Sequence, residues 1–297
     1  MLQRVGYGSQ FNELYIINNT IIKRSKNEYG LKKIKHEIAF YRFLSNQSTF
    51  PIPFIIEYYD NGYKMNYLND YKPIYTCYSS IKENVLEHIY NQLNILHSLD
   101  KKNVSKEYFT ECLYQEMIIK TNQRIDMISC LLESVVITHV NGIELKPFTE
   151  IEERLTYYMN TFINSKTEFI FVPIHGDCQF NNILYKEGES VIFIDPRGYF
   201  GSSEVYGLKE YDDAKIIFAL SGYDIFDNKI ITEYELHEGN FTFLDERFDT
   251  DCFKKNDFIT ALTISIWLGN AHCFINQPAK ALTSYARAMY YASIYLS

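Results

Sequence analysis

The chain has 297 residues, 46% of them hydrophobic and 22% charged, proportions of a folded globular protein that exclude a disordered or fibrous class. Its formal net charge of −8 excludes a general nucleic-acid binder, which needs a basic face to displace phosphate counterions. No run of about 18 apolar residues occurs, and Met1-Leu2-Gln3-Arg4-Val5-Gly6 lacks the apolar core of a signal peptide, so a cytoplasmic protein without membrane insertion is expected.

The first element is a short glycine loop, Gly6-Tyr7-Gly8-Ser9, which a simple turn explains nearly as well as a nucleotide cover. It precedes two β-rich runs, Phe11 to Ile17 and Thr20 to Arg24. Asn18-Asn19 between them reads as a hairpin turn, because Asn tolerates the positive φ such turns need. Leu31, Ile34, Ile38, Tyr41 and Leu44 then recur at three- and four-residue steps and predict an amphipathic helix. Pro51-Ile52-Pro53 breaks the chain, and strand-like runs Phe54 to Tyr59 and Tyr63 to Tyr67 follow, joined at Asp60-Asn61-Gly62.

From about residue 70 the pattern becomes helical, over Val85 to Leu99 and Lys106 to Val136. Chains of this length tend to divide, so the expectation is an α+β protein with a small β-rich lobe, 1–69, and a larger, mostly helical lobe, 70–297. Thr149-Glu150-Ile151-Glu152 has the spacing of a capping box and predicts a helix from there to about Asn164. Phe169 to Val172, Asn182 to Tyr185 and Val191 to Ile194 read as short strands, and helical patterns return over Asp212 to Leu220 and from Phe258 to Leu296. The six cysteines, Cys77, Cys112, Cys130, Cys178, Cys252 and Cys273, lack C-x-x-C pairing and are expected to be free, buried thiols.

The richest stretch surrounds the predicted strands after residue 173. Phosphoryl transfer needs a carboxylate at the attacking hydroxyl, oxygen ligands for a metal that bridges the phosphates, and a cation on the remaining phosphates. Asp177 opens a D-x-x-x-x-N spacing that ends at Asn182, and Asp195 follows the next apolar run. One carboxylate with one amide oxygen is a workable protein contribution to Mg²⁺, which keeps water and substrate phosphate as its other ligands. Asp195 and Asn182 supply that pair, and Asp177 is left to orient the acceptor hydroxyl and take its proton.

Ile174-His175-Gly176-Asp177-Cys178-Gln179-Phe180-Asn181-Asn182-Ile183-Leu184 resembles the H-G-D-x-x-x-x-N-I-L stretch of aminoglycoside phosphotransferases and choline kinases. Val191-Ile192-Phe193-Ile194-Asp195 resembles their second motif, an aspartate after an apolar strand. The resemblance implies the protein-kinase fold, catalytic Asp177, metal ligands Asn182 and Asp195, and a structural role for His175. It also implies a strand lysine on the nucleotide α/β-phosphates, held by a glutamate of the following helix. Lys23 and Glu37 meet that demand, with Arg24 and Lys26 as rivals for the lysine.

By the same resemblance, Gly6, Gly8 and Ser9 cover the nucleotide, and Met65 and Tyr67 sit where the inter-lobe hinge presents backbone groups to the base. Leu93-Asn94-Ile95-Leu96-His97 is similar to the family's L-x-x-L-H helix end, where His97 is structural. Asp212 starts a helix and is expected to cap it. Pro196-Arg197-Gly198 departs from the Phe-Gly or Trp-Glu of many relatives; Arg197 suits either a phosphate or acidic substrate contact or a structural ion pair. Ile194-Asp195-Pro196-Arg197-Gly198 with Tyr211-Asp212-Asp213-Ala214-Lys215 is faintly similar to phosphotransferases encoded with bacterial capsule or surface-glycan genes.

The function these residues imply is an ATP- or GTP-dependent, Mg²⁺-assisted kinase for a hydroxyl of a sugar, polyol, amino alcohol or aminoglycoside. The alternative is a non-catalytic nucleotide-binding scaffold. No long segment ending in A-P-E follows Asp195, which disfavours a protein kinase. Trp267, Tyr285 and His272 are candidates to line an acceptor site, with core packing the better expectation.

Overall fold

The computed structural model describes residues 10–45, 50–80, 83–188, 191–229, 232–244, 251–254 and 257–296. The chain forms two compact units, Met1–Asn103 with Ile170–Asp212, and Val104–Phe169 with Asp213–Ser297. Among the described residues no helix is long and apolar enough to cross a membrane.

In the first unit, β1 (Asn12–Ile17) and β2 (Thr20–Ser25) form the expected antiparallel hairpin. Asn18 and Asn19 turn it with φ of 47° and 59°, the left-handed conformation that matches the twist of the flanking strands. The helix α1 (Glu28–Ser45) follows, with the Asn27 side chain accepting from the Gly30 amide at 2.8 Å, an orphan donor of the first turn. Its buried face is Ile34, Glu37, Ile38, Phe40, Tyr41 and Leu44. β3 (Ile55–Tyr59) and β4 (Gly62–Asn66) complete a four-stranded sheet in the order β1-β2-β4-β3. Its register sets Lys23 opposite Tyr63.

After the helix α2 (Glu83–Ser98), the chain pairs Lys102–Asn103 with Ile170–Pro173, whose other edge takes Tyr206–Gly207. The predicted hairpin around residue 188 forms from Ile183–Tyr185 and Ile192–Phe193, joined on its outer side by Lys72–Pro73. His175 and Asp177 follow the first of these ladders, and Asn182 and Asp195 flank the second.

The second unit is largely helical. Residues from Lys106 do not make one long helix: Lys106–Tyr114 passes through a π-turn at Gln115–Ile119 into Lys120–Asp126, with a separate turn at Ser129–Glu133. At the break, Ile128 N donates to Ile125 O at 3.0 Å, a tightened closure that ends an α-helix. The capping box also fails. The helix spans Phe148–Asn164 with Pro147 as its cap at φ −57° and no side-chain cap bond, so Thr149 is already inside it, and Glu150 pairs with Lys146 at 3.3 Å instead. Proline's fixed φ suits a helix entry without a side-chain acceptor.

Sequence reading missed a small sheet, Tyr234–His237 and Asn240–Phe243 with His139–Val140 and Ile143–Glu144. Trp267 is wholly buried among aromatic rings such as Phe218 and Tyr291, its indole N–H donating to Ser221 Oγ at 2.9 Å, which is core packing. All six cysteines are free, but only Cys112 and Cys178 are buried; Cys130 is exposed. Cys77, Cys252 and Cys273 are half-buried, each in a short 3-10 helix.

Candidate functional site

The turn after the strand Ile170–Pro173 carries His175, Gly176 and Asp177. Gly176 has φ +75°, and a Cβ on it would stand 3.0 Å from Cβ of Arg197, so both conformation and space call for glycine. Asp212, fully buried, holds this turn: its carboxylate accepts from His175 N at 3.0 Å and Gly176 N at 2.7 Å. The same carboxylate takes the Nε2 hydrogen of His97 at 3.0 Å. Asp212 is therefore structural, as expected, but it caps the turn His175-Gly176-Asp177; it lies inside the helix Lys209–Leu220, not at its N-cap.

His175 is completely buried. Its Nε2 donates to Ile194 O at 3.1 Å, and its Nδ1 accepts from Asp177 N at 3.3 Å. One ring nitrogen donates and the other accepts, which fixes the neutral tautomer. Burial holds its pKa below the ordinary 6.5, against the pull of Asp212 and Asp177. It joins Asp177 to the strand end that precedes Asp195.

Asn182 closes the short turn Phe180–Asn182. Its amide nitrogen donates to Asp177 O at 2.9 Å and to Asp177 Oδ2 at 3.0 Å, while its backbone oxygen accepts from Ile194 N at 2.9 Å. The hairpin that begins at Ile183 pairs it with Phe193, which brings the ends carrying Asn182 and Asp195 together. Asp195 has φ 54°, a left-handed conformation Asp tolerates better than most residues.

Lys23 reaches the same place from β2. Its Nζ lies 2.9 and 2.8 Å from the two Glu37 carboxylate oxygens and 3.3 Å from Asp195 Oδ1. Tyr63, opposite Lys23 in the sheet, donates to Glu37 Oε2 at 2.8 Å. Burial works against the lysine's charge, but Asp195 and Glu37 outweigh it, and its pKa stands above the ordinary 10.5. A buried charge with one partner is costly to keep, and here the cation has two carboxylates. Arg24 and Lys26 are exposed, and Arg24 lies over the Tyr59 ring at 5.2 Å.

The structure thus brings together Lys23, Glu37, Asp177, Asn182 and Asp195. Gly6, Gly8 and Ser9 lie outside the described residues. Met65 is buried in β4, and the Tyr67 amide donates to Asn19 O at 3.0 Å. Arg197 stands beside the site, its guanidinium 4.0 Å from the Tyr199 ring centroid and bonded to the Tyr211 hydroxyl. Tyr63 was missed at the sequence level, because the pairing that sets it across from Lys23 joins β2 to β4, strands separated by α1 and β3.

The donor set suits magnesium. Asp195 keeps a quarter of its side chain exposed, and the Asn182 amide turns its nitrogen to Asp177, so its oxygen is the atom left for a cation. Both are hard oxygen donors, and two protein ligands leave room for water and phosphate oxygens. Among the described residues no group of three or more His, Cys, Asp or Glu side chains is placed to hold a metal ion.

Solved structures share this chain path. The choline kinase LicA from Streptococcus pneumoniae superposes with a TM-score of 0.57 at 10% identity, covering 99% of this chain and 92% of that one. A choline/ethanolamine kinase family protein from Mesorhizobium loti gives 0.57 at 8% identity, over 96% and 89%. The aminoglycoside phosphotransferase APH(4)-Ia gives 0.54 at 12% identity, over 94% and 89%. This is a protein-kinase-like fold. In the kinase-like chain the strand-rich segment with α1 comes first and the helical segments follow, as the α+β expectation had it. No protein-family model matches the sequence, and no curated protein matches it.

Proposed function

We propose that this protein is a small-molecule kinase, transferring a phosphoryl group from ATP or GTP to a hydroxyl of a sugar, polyol, amino alcohol or aminoglycoside in the cytoplasm. The observation that carries the reading is the convergence on Asp195 of Lys23, 172 residues away in sequence, together with the fixing of Asp177 by Asn182. Segments 1–69 and 70–297 would serve as nucleotide-binding and catalytic lobes.

In this reading Asp177 orients the acceptor hydroxyl and accepts its proton as the oxygen attacks the terminal phosphorus. Asn182 supports it by holding Oδ2, so the carboxylate keeps one rotamer. Lys23, fixed by Glu37, lies against the α/β-phosphates. Asn182 and Asp195 would hold Mg²⁺, which when bound neutralises charge on the transferring phosphoryl group. The pattern Asp195-Pro196-Arg197-Gly198 supports a surface-polysaccharide precursor as the acceptor class.

The test is nucleotide consumption by the purified chain across a library of hydroxylated metabolites. Turnover on one acceptor class, lost by about a hundredfold or more in Asp177→Asn with nucleotide affinity retained, is the expected result. Asp195→Ala should weaken metal-nucleotide binding as well. Nucleotide binding without turnover on any acceptor would point to a scaffold, and near-normal kcat in Asp177→Asn would remove Asp177 as the base.

A further inference from the structure

The residues that follow Asp195 form a strap against α1. Gly198, at φ +69°, lies beneath the carbonyl of His36, and a Cβ there would stand 2.3 Å from that oxygen. The His36 ring packs on Tyr199 with centroids 4.8 Å apart, and its Nδ1 donates to Glu204 Oε1 at 3.3 Å. Two turns further along α1, Phe43 meets Tyr206 edge-on at 5.7 Å. Positions 36 and 43 are seven residues apart and share one face of a helix.

The strap is anchored at its other side to the catalytic turn. Arg197 N donates to His175 O at 2.8 Å, Val205 N to Gly198 O at 2.8 Å, and Ile174 N to Val205 O at 3.0 Å. Val205 has φ 66°, an outlier for a β-branched residue that persists only where its surroundings over-determine it. A backbone so constrained does not yield easily to a shift of α1.

Glu37 is the residue after His36. We propose that His36 and Gly198 are positioning residues: the strap 197–206 sets where α1 stands, and so where Glu37 holds Lys23. Hydrogen bonds at 2.8–2.9 Å weaken steeply with displacement, so a sub-ångström shift of α1 would release the lysine towards Asp195. The inference rests on Lys23 being the nucleotide phosphate contact.

A double-mutant cycle on the full chain tests it, with MgATP and MgGTP affinity measured by titration calorimetry and folding checked by thermal unfolding. Gly198→Ala should weaken binding about tenfold and His36→Ala about threefold, and each loss should vanish in a Lys23→Ala background, because residues acting through one interaction are non-additive. Where Gly198→Ala does not fold, His36→Ala carries the same cycle. Wild-type affinity in both single variants, or equal losses with and without Lys23, overturns the strap's role while leaving Lys23 in place. Wild-type affinity in Lys23→Ala overturns the phosphate assignment, and the strap's role falls with it.

Discussion

Removing the Asp212 carboxylate should damage the site from beneath. Asp212→Ala leaves three buried donors, His175 N, Gly176 N and His97 Nε2, without their acceptor. Bonds to a charged group contribute about 1.5–3 kcal/mol each, but they share one carboxylate and do not add. The loss of a single buried charged partner typically costs about 3–5 kcal/mol, and that is the expected effect, a large part of a total stability of about 5–15 kcal/mol. Asp212→Asn keeps one oxygen and turns an amide nitrogen on another donor, so it should fall between wild type and alanine. Urea unfolding reads this as a lowered midpoint with an unchanged slope, and hydrogen exchange should quicken at the His175 and Gly176 amides. A loss within about 0.5 kcal/mol, the size of an ordinary surface substitution, would show that Asp212 does not hold the turn.

Glu37→Ala should cost about 3 kcal/mol, since Lys23 keeps only Asp195 and the Tyr63 hydroxyl loses its acceptor; stability unchanged by denaturation would contradict the pairing. Asn182→Leu should lower kcat by tenfold or more, because Asp177 loses both amide bonds, and a kcat equal to wild type would dismiss that support. The depressed pKa of His175 makes stability fall with acid. Above about pH 6.5 neither folded nor unfolded histidine is charged and the stability is complete. As pH drops through that value the unfolded state takes up a proton that the folded state resists, at up to about 1.4 kcal/mol per pH unit. Unfolding titrations from pH 7 to 5 should show a shallower slope in His175→Gln, and equal slopes would assign the acid sensitivity elsewhere.

Local chemistry was legible where one short signal decided the geometry. Asn18-Asn19 announced its turn because both residues must take positive φ, and the α1 periodicity named Ile34, Ile38, Tyr41 and Leu44 of the buried face. The same logic was available for Asn141-Gly142 and Glu238-Gly239, where Asn141 and Glu238 also have positive φ, 48° in each, but the strands at His139–Val140 and Ile143–Glu144 are two residues long and carry no alternation to read. The π-turn at Gln115–Ile119 was invisible, since its residues are as compatible with an α-helix. Asp212 was recognised as structural and given the wrong cap, because the turn it serves lies 36 residues earlier, a distance no local rule spans. Lys23 is buried and Arg24 beside it exposed because neighbouring side chains of a strand face opposite sides, and Lys26 lies past the end of β2, a separation that needs the strand's bounds and its buried face.

The left-handed Asp195 shows how the site keeps its shape. Such a conformation costs about 1–3 kcal/mol, and it endures because the residue before it is held on both sides: Ile194 N donates to Asn182 O, and Ile194 O accepts from His175 Nε2. Two hydrogen bonds at about 1 kcal/mol each, with the Lys23 contact, are enough to offset it. The two hydrogen bonds are made by main-chain groups and the buried imidazole, without the Asp177 carboxylate, and the Asp195 carboxylate contributes through Lys23. Exchanging the Asp177 carboxylate for an amide therefore leaves these anchors in place, and a loss of turnover in a folded Asp177→Asn chain reports on proton transfer and acceptor alignment. The Asp212 variants act in the opposite sense, disturbing the frame while leaving the reacting groups chemically intact, so the two sets separate chemistry from positioning in one assay.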